Sequence, residues 1–350
     1  MIKKNKASIS KLIIHKIGNK FNDTRNVFSE SAVVFDEDSY NLMLSYLLKP
    51  FGNLSESFRF HHHADIQMNE IFNYAKNIFQ DEKLFVDASK NVVKHLFEQS
   101  NSAQIKTGDV LVVLFEDVEY NDIFTSAVGI FKVENKSNFF QTFKDGDSFD
   151  VAVQEGISTK KIDKGCLVVN SSDDEGYVVL SVDNNNYDTQ YWMKNFLNIK
   201  YADDNNNHTN TYLEMCKDFS NEVLKTDFST QEHSHFLAKT IDFFKENDTV
   251  NIHDFKEEVF EDDKQKELFD DYKKIFESEN DVLVRNQFHV SEVVVKKQKQ
   301  KMKTEIKLDT NIQIKLDVDA PDASSEYLEL GYDEVKKMKF YKVYFNEETN

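Results

Sequence analysis

His61, His62, His63 and Asp65 lie within six residues, in the run FHHHADIQMN at 60–69. Neutral imidazoles and carboxylates are ligands for zinc and other first-row metals. If 58–63 is extended, His61 and His63 face one side and His62 the other. Two imidazoles on one face make half a zinc site, and Asp65 joins them only if the chain turns back. A second reading needs no partners from elsewhere. The histidines pack and hydrogen-bond at a strand-to-helix junction, with Asp65 near the helix N-terminus, where the dipole favours a carboxylate. The second reading is preferred, and no metal or cofactor is expected.

A second set could cleave phosphodiesters. Metal-dependent nucleases place an acid on one strand and Glu-x-Lys on the next, and VENK supplies Glu134 and Lys136. Asp122 precedes them at a suggestive distance. In a hairpin turning near Tyr120 and Asn121, however, Asp122 lies by the turn and Glu134 roughly 40 Å away at about 3.3 Å per residue. The acid opposite Glu134 is instead Asp109. A nuclease built on Asp109, Glu134 and Lys136 is therefore the runner-up to a non-enzymatic protein. Other signatures are missing: no Gly-x-Gly-x-x-Gly, no phosphate-binding Gly-x-x-x-x-Gly-Lys-Ser/Thr, no Gly-x-Ser-x-Gly and no Cys-x-x-Cys.

The third set binds rather than reacts. KKQKQKMK contains Lys296, Lys297, Lys299, Lys301 and Lys303. The preceding VSEVVV favours a strand. On a strand, Lys297, Lys299, Lys301 and Lys303 share one face at about 6.6 Å spacing, commensurate with successive phosphates. Such a row would follow a nucleic-acid backbone without reading bases. It would equally suit an edge strand whose lysines discourage aggregation. On a helix the same residues would scatter around the axis.

The elements that must position these residues follow from periodicity. SISKLIIHKI (8–17) reads as a strand. Asp36 caps a helix with Glu37 and Asp38 in its first turn, and Pro50 stops it. SFRFH is a short strand, and 67–80 and 83–99 carry helical spacing. DVLVVLF (109–115) and IFTSAVGIFKV (123–133) flank a polar turn as a hairpin. SFDVAVQ, KGCLVVN and GYVVLSVD add strands, with Gly165 and Gly176 each placed at a turn. From 189 to about 281 the pattern is helical, through TQYWMKNFL, TYLEMCKDFSNEVL and EHSHFLAKTIDFFKE. After 286 strands return: the lysine segment, NIQIKLDV with a hairpin turn at Asp309 and Thr310, and KKMKFYKVYF. The expected class is α+β. A mixed helix and antiparallel-sheet domain spans 1–200, an acidic helical region 201–285 and a β-rich segment 286–350.

Charge limits the partners. The net charge is −19, which repels nucleic acid at long range, so any DNA contact must be local. Residues 246–281 hold 14 Asp/Glu and 5 Lys, a local net of 5 − 14 = −9. That is a solvated helix face or a surface for a basic partner. Residues 291–307 reverse the sign, with 6 Lys against 2 Glu. Two cysteines, Cys166 and Cys216, are too few for a disulfide framework and read as buried free thiols. No apolar run is long enough for a signal peptide or a membrane span.

Several segments, taken in order, resemble the bacterial nucleoid-associated protein family, the NdpA-like proteins. They are IIHKIGNK, FHHHADIQMN, IKTGDVLVVLF, AVGIFKVENKSNFF, EGISTKKIDKGCLVVN, GYVVLSVDNNNYDTQYWMKNFL and KMKTEIKLDTNIQIKLDV. The resemblance spans most of the chain. It makes FHHHADIQMN a family feature at a strand-to-helix junction rather than an isolated metal motif, and it transfers no catalytic chemistry. It implies a cytoplasmic, nucleoid-associated protein, with DNA binding and contact with a type II topoisomerase as themes. The expected function is thus non-enzymatic: weak, non-specific contact with double-stranded DNA, modulation of a basic DNA-acting partner, or both. An acidic DNA mimic or an anti-phage accessory protein is the alternative binding reading. The oligomeric state stays open, with a homo-oligomer among the assemblies considered.

Overall fold

The computed structural model describes residues 2–3, 6–54, 56–185, 190–224, 230–260, 262–302, 304–316 and 327–347. The fold is α+β, in two compact units, Met1–Ala202 and Asp203–Asn350.

The first unit is an antiparallel sheet with helices on both faces. Its strands are β1 (Ile2–Lys3), β2 (Ser8–Ile17), β3 (Phe58–Phe60), β4 (Gly108–Tyr120), β5 (Ile123–Val133), β8 (Lys164–Val169), β9 (Val178–Asp183) and β10 (Ile199–Tyr201). The order is β1-β4-β5-β8-β9-β3-β10, with β2 also on β4. Between β5 and β8 the chain makes β6 (Lys136–Asp145) and β7 (Ser148–Ile157), a separate two-stranded sheet. The sequence reading placed a strand only on the second of these.

Strand β4 shows why DVLVVLF is an unbroken apolar run. Val110, Val112 and Leu114 enter one core, while Leu111, Val113 and Phe115 enter the other. A strand covered on both faces has no polar side. One cover is α2 (Glu70–Gln80) and α3 (Phe85–Glu98), with Ile71, Phe72, Val92 and Leu96 inward, joined by Trp192 and Phe196 of the helical turn Gln190–Leu197. The other is α1 (Glu37–Leu48), contributing Tyr46, Leu47 and Leu48. Asp36 caps α1 as expected, accepting from the Ser39 amide at 2.8 Å. The β4–β5 loop is Asn121–Asp122, both at positive φ (48° and 64°). That is the backbone a two-residue hairpin loop requires. Gly176 sits at a turn with φ +83°. Gly165 does not. It lies inside β8, opposite Phe131, whose ring fills the space its side chain would take.

The second unit has an aromatic core. Its helices are α4 (Asn205–Phe219), α5 (Thr230–Glu246), α6 (Ile252–Val259) and α7 (Asp263–Asn280). Phe219 contacts the rings of Phe236, Phe260, Phe269 and Tyr272. Strand β11 (Thr249–Asn251) pairs with β12 (Gln287–His289), so that Val250 and Phe288 lie opposite each other in this core. The segment after 286 therefore begins inside the helical unit.

The strand expected over the lysine run is overturned. Residues Glu292–Lys301 form helix α8. Beyond it, β13 (Thr304–Lys307) pairs with β14 (Gln313–Leu316), and β15 (Leu328–Asp333) with β16 (Met338–Val343). Both are antiparallel hairpins, and the first turns close to Asp309 and Thr310.

Candidate functional site

The His61–His63 cluster is a junction. Strand β3 ends at Phe60, so the three histidines do not alternate along a strand. His61 donates its amide to the Asn198 carbonyl at 2.9 Å, and Asn69 Nδ2 donates to the His61 carbonyl at 3.2 Å. His62 Nδ1 accepts from the Ala64 amide at 3.3 Å, and the His62 and His63 rings lie 4.3 Å apart. Partial burial, Lys200 and the neighbouring imidazoles hold His61 below the ordinary histidine pKa. Asp65 caps the short 3-10 turn Ile66–Met68 through the Gln67 amide at 2.8 Å. Asn69 caps α2 through the Phe72 amide at 2.9 Å. Among the described residues no three His, Cys, Asp or Glu side chains are grouped to hold a metal.

The nuclease set is partly assembled and differently engaged. Asp109 lies opposite Val133, so it is the acid near Glu134, as strand geometry requires. Asp109 pairs with Lys136 at 2.9 Å. Glu134 turns away into a buried polar network. Its Oε1 takes a 2.7 Å bond from Lys132 Nζ, and its Oε2 a 2.7 Å bond from Asn185 Nδ2. The side chains of Lys132 and Glu134 are 0% and 1% exposed. Lys132 also donates to the Lys106 carbonyl at 2.7 Å and lies over the Tyr191 ring at 5.4 Å. Burial lowers its pKa, against the pull of Glu134.

Next to this pair, Asp163 accepts from the Glu134 amide (2.7 Å), the Asn135 amide (3.0 Å) and Asn135 Nδ2 (2.8 Å). Lys164, opposite Lys132 in the sheet, reaches both oxygens of Asp183 at 2.7 Å. Every carboxylate here is met by donors. A buried charge is tolerated only when paired and hydrogen-bonded. The network therefore fixes the root of the β6–β7 hairpin. Sequence reasoning missed it, although one signal was visible: Lys132 interrupts the apolar strand TSAVGIFKV, and a charge there needs a buried partner.

The lysine run is the remaining chemical feature. Four of its residues, Lys296, Lys297, Lys299 and Lys301, lie on α8, and Lys303 lies outside the described residues. Val294, Val295, Gln298 and Met302 are buried. At about 100° per residue these four form one stripe. It docks on the polar edge of α4. The Ser291 amide donates to Thr209 Oγ1 at 2.9 Å and Ser291 Oγ to Asn206 Oδ1 at 2.6 Å. Gln298 Nε2 donates to Asn210 Oδ1 and, at 3.4 Å, to Glu214 Oε1.

The lysines take what is left of the helix surface. Lys296 points outward, with Glu292 one turn earlier at 3.6 Å. Lys297 and Lys301, four apart, share one flank, and Lys299 lies on the other. Partial burial and the nearby Lys301 lower the pKa of Lys297. The evenly spaced row of four is thus replaced by a cationic helix surface. Lys299 and Lys301 in the last turn complement the helix dipole.

The acidic stretch is opposite in character. Among the described residues of 246–281, Lys256 pairs with Asp270, Lys266 with Glu257, Lys273 with Glu277 and Lys274 with Asp271. The surplus carboxylates dominate the surface. No helix among the described residues is long and apolar enough to cross a membrane.

Comparison with curated proteins finds no match. A family model described as nucleoid-associated protein YejK matches residues 13–337, a span that includes the histidine junction, the buried network, the β6–β7 hairpin and α8. The chain belongs to that nucleoid-associated protein family.

Proposed function

We propose that this protein acts at the nucleoid in the cytoplasm without catalysing a reaction. It contacts the backbone of double-stranded DNA weakly and without sequence preference, modulates a DNA-acting partner such as a type II topoisomerase, or does both. The observation that carries the reading is charge segregation in a member of this family. Helix α8 holds four lysines and one glutamate, while 246–281 has a surplus of 14 − 5 = 9 acids. Lysines that neutralise phosphates give affinity without base readout. Like charge elsewhere on the chain keeps that affinity low and confines contact to the basic patch.

The test is a salt titration of binding to a generic duplex with Mg²⁺ present. It compares the native protein with a variant carrying Lys296→Glu, Lys297→Glu, Lys299→Glu and Lys301→Glu. A helix presents fewer lysines to one strand than an extended row would. Two or three neutralised phosphates give a log–log salt slope of about −2 to −3. Binding with that slope, lost in the variant, is expected. Equal binding by both proteins would remove α8 from the interface. Duplex cleavage during the same titration would overturn the non-enzymatic reading.

The acidic surplus favours a second reading, a DNA mimic that occupies the groove of a basic protein. It requires no duplex binding at low salt together with inhibition of the partner's own DNA binding.

A further inference from the structure

We infer that the β6–β7 hairpin is a self-association arm, and that a second copy of this chain covers its apolar face. The inference is independent of DNA binding.

The hairpin pairs ten residues with ten, from Lys136↔Ile157 to Asp145↔Ser148. Gly146 at φ +59° supplies the positive φ its two-residue loop needs. At about 3.4 Å per residue the arm is roughly 33 Å long. All of β6 is exposed, as is β7 apart from half-buried Ala152, Gly156 and Ile157. A lone two-stranded hairpin is marginal in water and needs a cover on its apolar side. The buried network around Glu134 and Asp163 anchors only the root.

The register sorts the side chains. One face carries, from root to tip, the rows Asn138 with Glu155, Phe140 with Val153, Thr142 with Val151, and Lys144 with Phe149. Phe140, Phe149, Val151 and Val153 are 77%, 79%, 55% and 63% exposed. At about 200 Å² for a whole phenylalanine, these four leave roughly 500 Å² of apolar surface in the open. Contiguous patches of that size mark interaction sites. With the polar residues of the same face, the total approaches the ~800 Å² per partner of a stable interface.

The pattern identifies the occupant. The Phe140–Val153 and Thr142–Val151 rows are central, Lys144 lies beside Phe149 near the tip, and Glu155 lies near the root, where Lys136 is already paired with Asp109. Two such faces packed about 10 Å apart and antiparallel, related by a two-fold axis, set the Phe140 row against the Thr142 row. The same operation brings Lys144 of each copy to the row holding Glu155 of the other, across a diagonal that a lysine spans. Among the described residues neither Lys144 nor Glu155 has an ion pair within 4 Å, and Glu155 acts on Lys136 only at longer range. The face is therefore complementary to itself in both charge and apolarity.

The experiment is sedimentation velocity on the full chain at tens of micromolar, with circular dichroism to confirm folding. The expected species is a dimer of twice the 40.9 kDa chain mass. Lys144→Glu sets like charges together and should weaken dimerisation at least tenfold. Adding Glu155→Lys to it should restore the dimer to within about threefold of the native protein. Phe140→Ser should leave a folded monomer. A native protein that is monomeric throughout overturns the proposal, as does a dimer that survives both Lys144→Glu and Phe140→Ser. A Lys144→Glu defect that Glu155→Lys does not rescue refutes the antiparallel pairing.

Discussion

Removing the Glu134 carboxylate should destabilise the first unit severely, and removing Lys132 with it should not. Lys132 is fully buried and, among the described residues, Glu134 is its one anionic partner at hydrogen-bond distance, at 2.7 Å. In Glu134→Ala the ammonium keeps the Lys106 carbonyl, the face of Tyr191 and the more distant field of Asp163. Leaving one member of a buried pair unmatched costs about 3–5 kcal/mol. The Asn185 bond is lost as well, for about 1 kcal/mol. Neutralisation of Lys132, whose pKa burial already lowers, limits the penalty. In the double variant Lys132→Met/Glu134→Leu, neither member of this pair is left unmatched, and such exchanges are near neutral or stabilising.

The assay is denaturant unfolding followed by the fluorescence of Trp192. It is the chain's only tryptophan. It is buried in the first unit's core and donates to Ser181 Oγ at 3.1 Å, so it reports that unit selectively. For a unit of this size, 3–5 kcal/mol corresponds to a Tm drop of about 6–20 °C. A Glu134→Ala loss below about 1 kcal/mol, or a double variant no better than the single, would refute the reasoning. A folded Glu134→Ala protein that has lost a plasmid-cleaving activity of the native protein would return Glu134 to a catalytic role.

Two further outcomes are expected. His15 is buried, its Nδ1 accepting from the Ser29 amide at 3.1 Å, so its Nε2 proton is directed to Ser89 Oγ at 2.9 Å. Desolvation lowers its pKa to about 4. The unfolded chain binds this proton at higher pH than the fold does. The stability is thus whole above pH ~6.5 and lost as pH falls toward 4, by about 1–2 kcal/mol at pH 5 after allowing for screening. His15→Gln should flatten the pH dependence of the Trp192 transition over that window, and an unchanged slope would contradict the assignment. Cys166 and Cys216 are wholly buried, and burial pushes the Cys166 thiol up to about 12. A thiol reagent should label neither in the native protein and both in denaturant. Fast native labelling would show that one of the two cores opens.

Much of the architecture was legible because burial writes itself into local patterns. The apolar run of β4 reflects cover on both faces. Helices α2 and α3 followed from residues recurring every three or four positions, and Asp36 was readable as a cap because its side-chain oxygen meets an amide only three residues away. The histidine run was read as a strand-to-helix junction, and it lies between the end of β3 at Phe60 and the start of α2 at Glu70. Strand β6 escaped notice because neither of its faces is buried by the rest of the chain, so SNFFQTFK shows no clean alternation toward a core.

The sequence by itself determined the α+β class, the segregation of charge, the family, and the choice of Asp109 over Asp122 as the acid near Glu134. Those rest on composition, on short-range periodicity and on the fixed length of an extended residue. Tertiary structure decided the rest. VVVKKQKQK has β-branched residues that suit a strand and lysines and glutamines that suit a helix, so local preference does not choose. The edge of α4 chooses, because only a helix places Val294, Val295, Gln298 and Met302 on one stripe against Asn206, Thr209 and Asn210. Glu134 likewise is held in a buried network because Lys132, Asn185 and the Asp163 carboxylate beneath its amide meet it only in the folded chain. Partners brought together by folding, at sequence separations that carry no periodic signal, set which charges are buried and which remain to meet another molecule.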